Sequence, residues 1–499
     1  MARVDMVDRG RAALGRLRSS LRMENESAGR CNAQPLKAGT TFGIVGADSR
    51  SLDFPSVLRR TLMIVHRLAG EKIIRTKVEG RAAWASCPQS LIFLAFEIMG
   101  VTATATQVRT TTVPVVVSAV PDVKTLRDAI PSKCFERSLA RSLSYVVRDL
   151  VFVSALFTSA VYLAKLDAPW TVTAPLWLLY SFVQGLFFTG LWILAHECGH
   201  DSFSPYLNVN ATMGWFLHSI LLVPFFSWKF SHARHHRYHN HMEKDTVFVP
   251  NTKEQFEANE AKGLGLFAKL VDHSAADTPI LTLGSLIVHQ VFGWPMYMFL
   301  NAGAGYESLV RGSRDTVAMH KQSHYDPRAN IFTAAEAPFV AISDLGLVLV
   351  LGALYAASRS LGVGTTLLMY GLPYLWMNHW IVAITYLHHT HEKAPHYDAD
   401  NWTFVQGALS TVDREFGFIG RHIFHGIVEY HVVHHLFPRI PFYHAEEATE
   451  AVRGLLGDKY IEQRTNFMAD LWTAFMTCKY VEQGAKKGQL MWAAPAKAK

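Results

Sequence analysis

The sequence predicts an all-α integral membrane protein with about four transmembrane helices in two hairpins and a cytoplasmic helical cap. Half of its 499 residues are hydrophobic, only 18% are charged and the mean hydropathy is +0.12, whereas soluble proteins carry roughly 25% charged residues. Long apolar stretches recur along the chain, and clusters of histidine stand at their ends. This composition argues against a cytosolic enzyme or a disordered chain, and five scattered cysteines argue against a disulfide scaffold.

Residues 1–98 differ in composition from the rest of the chain. They carry the whole formal charge of +7, because Lys/Arg and Asp/Glu balance over residues 99–499. Their apolar run Leu91–Ile98 is too short to cross a bilayer. We expect a basic, disordered extension over 1–98 and a cytoplasmic or interfacial lead-in over 99–149. The basic charge suits an anionic membrane surface, and we expect no nucleic-acid partner because no recognition motif accompanies it.

The apolar stretches predict the membrane helices in order. Leu150–Ala164 and Leu176–Ala195 are expected to form a first hairpin, and Phe339–Ala357 with Leu361–Leu387 a second. Ile280–Leu300 is also apolar, but we place it in the membrane interface. The histidines before and after it must lie on one side of the membrane to build one site, and only an even number of crossings allows this. Four crossings result.

The remaining segments are expected to lie in the interface or the cytoplasm. Residues 123–148 alternate charged and small apolar residues, which predicts an amphipathic interfacial helix. Gly214–Trp228 is too short to cross and contains a proline, so it should lie in the interface or re-enter it. No run after Glu392 reaches spanning length, so we expect a cytoplasmic cap with helices at Ala445–Leu456 and Phe467–Phe475.

Three histidine clusters carry the chemistry. They read His196-Glu-Cys-Gly-His200, His232-Ala-Arg-His235-His236 and His431-Val-Val-His434-His435. Residues three or four apart on a helix project from one face, so each cluster presents two or three imidazoles to one point. Imidazole suits iron, zinc, copper and nickel. Eight nitrogens are too many for one tetrahedral zinc ion, so the clusters predict two metal ions with open positions for a small reactant.

Two remote alternatives stay open for these histidines. The segment from His196 to His200 satisfies the H-E-x-x-H pattern of zinc proteases, in which Glu197 would act as the base. A membrane metalloprotease would leave the other six histidines without a role. A metal transporter would carry polar residues along a pathway inside its crossings, whereas these histidines stand at the ends of apolar segments.

The assembled pattern resembles the membrane fatty acid desaturases, and more narrowly the methyl-end acyl-lipid group of fungi and plants, which includes Δ12 and omega-3 (Δ15) enzymes. The resemblance covers roughly Thr125–Val481. It implies a desaturase domain over residues 150–481 and a C-terminal tail over 482–499. Beyond the histidine clusters it is carried by Cys134-Phe-Glu-Arg-Ser138, Leu222-Val-Pro-Phe-Phe-Ser-Trp228, Thr385-Tyr-Leu-His-His389, Thr411-Val-Asp-Arg414 and Leu436-Phe-Pro-Arg-Ile-Pro-Phe-Tyr443.

The resemblance implies a centre of two non-haem iron ions that uses O2 to remove two hydrogens from an unactivated acyl chain. Neutral nitrogen ligands keep iron strongly electrophilic, and an apolar surround keeps water away. The cluster histidines carry over as metal ligands and catalytic residues, and His389 stands where related desaturases have a ninth ligand. The expected ligands are His196, His200, His232, His235, His236, His389, His431, His434 and His435.

Several neighbouring residues are weaker candidates. Glu197, Asp413 and Glu429 could accept hydrogen bonds from ring N–H groups of ligand histidines, or could be solvated or ion-paired. A further set of histidines is expected to lie beside the ions or away from them without ligating: His388, His391 and His425.

Asp201 is one departure from the family pattern. It follows the first cluster, where the resemblance leads us to expect His, Gln or Gly. Its carboxylate could accept a hydrogen bond beside the metal site or face water.

Electrons must come from separate proteins. The sequence has neither a His-Pro-Gly-Gly haem-binding stretch nor a G-x-G-x-x-G motif after a strand. The resemblance therefore implies cytochrome b5 and its reductase as electron donors, with a phospholipid or coenzyme A ester as the acyl carrier. It also implies a multi-pass protein of the endoplasmic reticulum membrane with cytoplasmic histidine clusters. A basic docking face is expected among Lys229, Arg234, Arg237, Lys244, Arg421 and Arg439.

The position of the new double bond is predicted less sharply. Leu387-His388-His389 and His435-Leu436-Phe437-Pro438 look more like omega-3 enzymes, so linoleoyl to α-linolenoyl is slightly favoured. Oleoyl to linoleoyl, the Δ12 reaction, is nearly as well supported, and a bifunctional enzyme is a third option. Regioselectivity is hard to predict because a change of one methylene in a pocket is worth only about 1–3 kcal/mol. The same scaffold could also hydroxylate or epoxidise, because the step that follows the first C–H cleavage depends on small differences in geometry.

Overall fold

The computed structural model describes residues 120–261 and 279–494. The chain divides into two units at residue 112, and all of the described residues belong to the second. The expected extension over 1–98 lies outside the described residues. Residues 99–119 of the expected lead-in and the last five residues of the tail also lie outside them.

Helices dominate the described part of the chain, and its few strands are short. The α-helices are α1 (Val123–Ala129), α2 (Leu139–Ala164), α3 (Trp170–Gly199), α4 (Leu207–Ser219), α5 (Phe225–Tyr238), α6 (Lys253–Ala261), α7 (Pro279–Leu300), α8 (Ala337–Leu361), α9 (Val363–Thr366), α10 (Leu372–His389), α11 (Phe404–Leu409), α12 (His431–Leu436), α13 (Ala445–Leu456) and α14 (Phe467–Thr477). The strands are β1 (His396–Tyr397), β2 (Val412–Arg414), β3 (Ile461–Gln463), β4 (Tyr480–Gln483) and β5 (Gln489–Ala493).

Helix α3 is the central helix of the apolar bundle. It is apolar on every side, and 72% of its most apolar window is buried, against 22% for α2; a helix without a polar face is stable only when other helices surround it. Helix α2 packs along it through Phe152, which stacks on Phe187 with ring centroids 4.7 Å apart. On the opposite side, Phe182 of α3 meets Trp376 of α10 edge to face at 5.2 Å.

The segment from α8 to α10 begins and ends near the histidine clusters. Helix α8 begins beside α5, where the Phe226 and Phe339 rings lie 5.4 Å apart. The chain turns at Gly362, whose φ of +87° favours glycine. It then continues through α9 and a π-helical segment (Leu367–Gly371) into α10, which ends at His389. The predicted second hairpin is therefore present as α8 and α10. The start of α8 and the end of α10 both lie near the histidine clusters.

By length and composition, four of the described helices could cross a membrane: α2, α3, α8 and residues 280–300 of α7. The number agrees with the prediction, but the set differs in one member. Helix α10 does not qualify because it contains Asn378 and His379 and ends in two further histidines. Helix α7 qualifies although we expected it in the interface.

The contacts of α7 lie close to the histidine clusters along its length. His289 packs against Tyr386 of α10 with ring centroids 5.0 Å apart, one turn before His389. The Tyr297 hydroxyl lies 3.0 Å from that of Ser231, which immediately precedes His232. Helix α7 therefore touches the site at its middle and near its last turn, so its second half runs along the site.

Two predicted interfacial segments are broken in the structure. The single helix expected over 123–148 is wrong: α1 ends at Ala129, Pro131 follows, and α2 begins only at Leu139. The segment Gly214–Trp228 is split between α4 and α5. Leu222, with a φ of +54°, and Pro224 separate the two helices, because a proline cannot continue the preceding helix.

The cap contains the two predicted helices and strands that were not predicted. Helix α13 has the predicted bounds, and α14 extends two residues beyond Phe475. Strand β5 pairs with β4 and β1 in an antiparallel sheet, and β2 pairs with β3 in parallel. Because β5 lies within the expected 482–499 tail, the described part of that tail packs as part of the domain.

We predict that Gly185→Leu destabilises the helix bundle. A Cβ at position 185 would collide with Trp376 Cβ on α10, so α3 and α10 would have to separate. Overpacking of this kind costs about 1–3 kcal/mol or more. Thermal denaturation in detergent should show a lower melting temperature, whereas Gly352→Leu on α8, where nothing lies within 4 Å, should change it little. Equal melting temperatures for the two variants would contradict this packing.

Candidate metal centre

The first histidine group gathers five rings from three helices. One ring nitrogen from each lies within 4.8 Å of every other. Helix α3 supplies two of them at its end, α5 supplies two from successive turns, and the short helix α12 supplies one. The members of this first group are His196, His200, His232, His236 and His434.

The nitrogens of the first group point at one another. His232 Nε2 lies 3.1 Å from Nε2 of both His196 and His200, and the last two are 3.2 Å apart. A neutral imidazole nitrogen is either a donor or an acceptor. Three nitrogens in a triangle therefore cannot all be paired as hydrogen bonds, because at least one contact joins two like groups.

A metal ion satisfies this arrangement. Around an ion with metal–nitrogen bonds of about 2.1 Å, neighbouring ligand nitrogens lie about 3.0–3.4 Å apart. The observed separations match that range. The donor set therefore fits a cation of the kind that imidazole prefers, such as iron or zinc.

The second histidine group draws on three helices and on the residue after α5. Its four members again bring one nitrogen each within 4.8 Å of every other: His235, His239, His389 and His435. His431 belongs beside them, because its Nε2 lies 3.1 Å from His435 Nε2. The structure thus brings together all nine histidines expected as ligands, distributed over two groups.

The two groups are in direct contact. The rings of His236 and His435 stack at a centroid distance of 4.2 Å with planes 11° apart, and His235 lies 5.1 Å from His435. Neighbouring residues of one helix therefore serve different groups: His235 faces the second and His236 the first. The expectation that each cluster presents its imidazoles to one point is therefore wrong for the second and third clusters, because adjacent helical residues project about 100° apart.

Burial keeps these imidazoles uncharged. Loss of water, with smaller contributions from neighbouring histidines, lowers the pKa of His434 to about 3. The same causes hold the pKa of His236 and His435 well below 6.5. A neutral imidazole offers a lone pair, so at neutral pH the groups are ready to bind a metal without first losing protons.

Two carboxylates orient the rings. Glu197 Oε1 lies 3.2 Å from His196 Nδ1, and its Oε2 accepts from the Ser202 hydroxyl at 2.8 Å. Asp245 Oδ1 lies 2.7 Å from His235 Nδ1. In both pairs the carboxylate accepts the Nδ1–H and leaves Nε2 directed at its group.

Sequence analysis named Glu197 but missed Asp245 and His239. Asp245 follows His235 by ten residues across a loop, so no helical spacing connects the two. His239 could have been found, because it stands four residues after His235 and one turn further along the same face.

The other two carboxylate candidates, Asp413 and Glu429, accept hydrogen bonds from backbone amides and not from histidine rings. Asp413 accepts from the Val432 amide at 2.7 Å and from the Tyr460 hydroxyl at 2.5 Å, so it fixes the start of α12. Burial raises its pKa to about 7. Glu429 accepts from the Phe416 amide at 3.1 Å. Asp413 also accepts from the backbone of His431, but among the described residues neither carboxylate has a hydrogen bond to the ring of a ligand histidine.

The three weaker histidine candidates lie outside both groups. His388 stacks on His431 at 3.9 Å and donates to the Val428 carbonyl at 3.2 Å, which places it directly behind a ligand. His425 lies 2.9 Å from Asp149 of α2. His391 accepts from the Lys393 amide in the loop after α10.

Asp201 pairs with cations at the surface and not with a ligand ring. Its Oδ1 lies 3.0 Å from Lys229 Nζ, and Arg439 approaches its other oxygen at 3.7 Å. Other expected docking cations are also paired: Arg234 with Glu336 at 2.6 Å and Arg421 with Glu415 at 3.3 Å. Arg237 is exposed.

A large apolar chamber opens onto both groups. It has a volume of about 970 Å³ and is lined mostly by aromatic and aliphatic side chains of α3, α7 and α10, including Trp192, Phe292 and Ile381. Ligand histidines of each group face it, among them His196 and His389. Apart from histidines, Lys479 is the only charged residue among the described residues of the lining.

Comparison with known proteins points to one family. A family profile described as "Fatty acid desaturase" matches residues 172–467. The chain is 42% identical over 387 residues to the oleate hydroxylase FAH12 of Claviceps purpurea, which covers 74% of this chain and 80% of that protein. It is 43% identical over 364 residues to a Delta(12) fatty acid desaturase of Mortierella alpina (72% and 88%). An endoplasmic reticulum omega-6 fatty acid desaturase of Glycine max is 40% identical over 370 residues (74% and 88%).

We predict that Asp245→Asn weakens metal binding at the second group. The substitution removes the charge that holds His235 in its ligating orientation, and such outer contacts are worth about 10- to 100-fold in metal affinity. Metal content of the purified protein should be measured against increasing chelator. Asp128→Asn, at an exposed position of α1, should behave as the wild type. A folded Asp245→Asn protein that retains its metal equally well would contradict this role.

Proposed function

Because the chain belongs to the fatty acid desaturase family, we propose that it uses two iron ions and O2 to insert a cis double bond toward the methyl end of a C18 acyl chain. The observation that carries this proposal is the opening of both histidine groups into one apolar chamber. A saturated methylene segment lies well in such a chamber, and its C–H bonds would face the ligand histidines.

The donor set indicates what the metal ions would contribute and what the side chains would contribute. Bound iron would supply the oxidising power that breaks an unactivated C–H bond. The nine expected histidines, His196, His200, His232, His235, His236, His389, His431, His434 and His435, would hold the ions with neutral nitrogen. Glu197 and Asp245 keep two of these rings in the ligating orientation. The apolar walls exclude water, which protects the oxidant until the acyl chain is in place.

The chamber also favours an acyl ester with an anionic head. Lys479 is 8% exposed, has no carboxylate within 4 Å among the described residues, and burial lowers its pKa to about 8. A buried cation without a counter-ion is costly, and a substrate phosphate would supply the missing charge. Phospholipids and coenzyme A esters both carry one; family analogy favours the phospholipid.

The relatives favour oxidation at the Δ12 position of oleate. The desaturases of Mortierella alpina and Glycine max are named for Δ12 and omega-6 activity, and the Claviceps protein is named an oleate hydroxylase. These names give no support to the omega-3 preference drawn from Leu387-His388-His389. We therefore propose oleoyl as the first substrate, with linoleoyl, and so bifunctionality, as a further test.

Hydroxylation is the second candidate. The Claviceps hydroxylase is as similar to this chain as the desaturases are. Desaturation and hydroxylation share the first C–H cleavage and differ in whether a second hydrogen or the oxygen is transferred next. That choice depends on how the chamber walls hold the second methylene.

Membrane context and electron supply complete the proposal. Family relatives are named as endoplasmic reticulum isozymes, and we place this chain in the same membrane. We take α2 with α3 and α8 with α10 as the two crossing pairs, with α7 at the interface, because this puts both histidine groups on the cytoplasmic side. Cytochrome b5 and its reductase would then reach the site, with Arg237 and Lys244 available for docking.

The activity is tested by the fatty-acid profile of yeast that lacks polyunsaturated lipids. We expect linoleate to appear without feeding, because oleate is present and the proposed substrate is oleoyl. The variant His434→Ala should make none. Hydroxylated oleate in place of linoleate would favour the second candidate. α-Linolenate that appears only when linoleate is fed would overturn the Δ12 assignment in favour of omega-3.

The proposed pairing of Lys479 with an anionic substrate head is tested by Lys479→Met. An apolar side chain of similar length keeps the packing but removes the charge, and a hydrogen bond to a charged group is worth about 1.5–3 kcal/mol. We expect the ratio of linoleate to oleate in the same yeast to fall about tenfold or more at equal protein level. Lys487→Met, which changes an exposed lysine of the same region, is the control. Equal ratios in both variants would refute the role of Lys479.

A further inference from the structure

His239 lies inside the second histidine group although no cluster motif includes it. Its Nε2 is 2.7 Å from His389 Nδ1. Its ring stacks on that of His435 at 4.1 Å and meets that of His235 at 5.0 Å. It thus touches three expected ligands of the second ion and has a nitrogen within 4.8 Å of a nitrogen of each.

The position of His239 is fixed by the backbone on both sides. Its carbonyl accepts from Trp402 Nε1 at 2.8 Å. The next amide, that of Asn240, donates to Asp245 Oδ2 at 2.8 Å, while the other oxygen of Asp245 holds His235. One carboxylate therefore positions both a predicted ligand and the residue beside His239, so the two rings are placed as a unit.

The surroundings of His239 do not explain a buried polar ring. The side chain is 1% exposed, and its Nδ1 has no hydrogen-bond partner among the described residues. Its one side-chain polar contact is to His389 Nδ1, an imidazole nitrogen that also lies 3.2 Å from the Thr411 hydroxyl. A histidine that serves packing alone would have its polar atoms paired with backbone or hydroxyl groups. His241, two residues on, shows this pattern: its Nδ1 accepts from the Glu243 amide and its ring packs on Trp402.

We propose that His239 is a fifth ligand of the second iron ion, together with His235, His389, His431 and His435. This inference rests on the proposed function. The first group already contains five histidines, so the second would match it and the centre would hold ten. Five nitrogens leave one position of an octahedral ion open, which is what a site needs if it is to admit one small reactant.

The test compares the iron sites of His239→Ala and His241→Ala, both changes of buried histidines. Each protein is loaded anaerobically with ⁵⁷Fe²⁺, checked for folding by its melting temperature, and analysed for iron content and Mössbauer spectrum after mild chelator treatment. We expect the wild type and His241→Ala to keep two ions. We expect His239→Ala to lose about one ion, and added imidazole, which can fill a vacated position, to restore it.

The outcomes separate this inference from the proposed function. A folded His239→Ala protein that keeps two ions with an unchanged spectrum would overturn the ligand role while leaving the di-iron enzyme intact. Iron loss that imidazole does not reverse would also overturn it, since a residue that only positions His389 cannot be replaced by a free base at the metal. A wild-type protein without iron would instead refute the proposed function. If His239→Ala does not fold, His239→Asn provides the same comparison with a smaller change in volume.

Discussion

Buried imidazole nitrogens that face one another are the constraint on which the rest of this structure depends. Three Nε2 atoms at 3.1–3.2 Å cannot all be satisfied by protons, and the rings that carry them are buried or half-buried. Burial also prevents the rings from charging, because it lowers the pKa of His434 to about 3. Only a cation at the centre gives every lone pair a partner. The proposed ions would therefore contribute both to the stability of the bundle and to the chemistry of the site.

The fold is arranged to bring helix ends to that point. Helix α3 is surrounded by other helices and delivers His196 and His200 at its end, while α10 returns from the far side of the bundle to deliver His389. The short helix α12 is held in place by Asp413, which fixes its first turn. Beside these ends, α7 closes the chamber that opens onto the histidines. An apolar chamber beside two histidine groups that could hold metal ions suits the proposed oxidation of an unactivated methylene.

The sequence predicted the parts of this site that follow from helical spacing. His232, His235 and His236 were expected to present their imidazoles to one point, and the structure brings all three to the site but divides them, with His232 and His236 in the first group and His235 in the second. Asp245 was missed because its contact with His235 is made across a loop, where spacing carries no information. His239 was missed because attention rested on the cluster motif, although its spacing of four from His235 was visible. His389 was found only through the resemblance to a family.

The fold was predictable to a similar extent. The length of the apolar stretches predicted α2, α3 and α8, and the helical periodicity of apolar residues predicted α13 and α14. The short strands β1, β2 and β3 were not predictable, because each pairs with a partner distant in sequence, and the local pair of β4 and β5 was missed. Helix α7 shows a further limit: its length and composition would allow a crossing, and only its contacts with Tyr386 and Ser231 indicate that it runs beside the site.

The central claim is that two separate histidine groups hold two iron ions, and iron content per chain tests it most directly. Purified wild-type protein should contain about two iron ions. His200→Ala, in the first group, and His435→Ala, in the second, should each contain about one, and their Mössbauer spectra should retain different ions. A wild type that binds one zinc ion and no iron, or two variants that lose the same ion, would contradict the account.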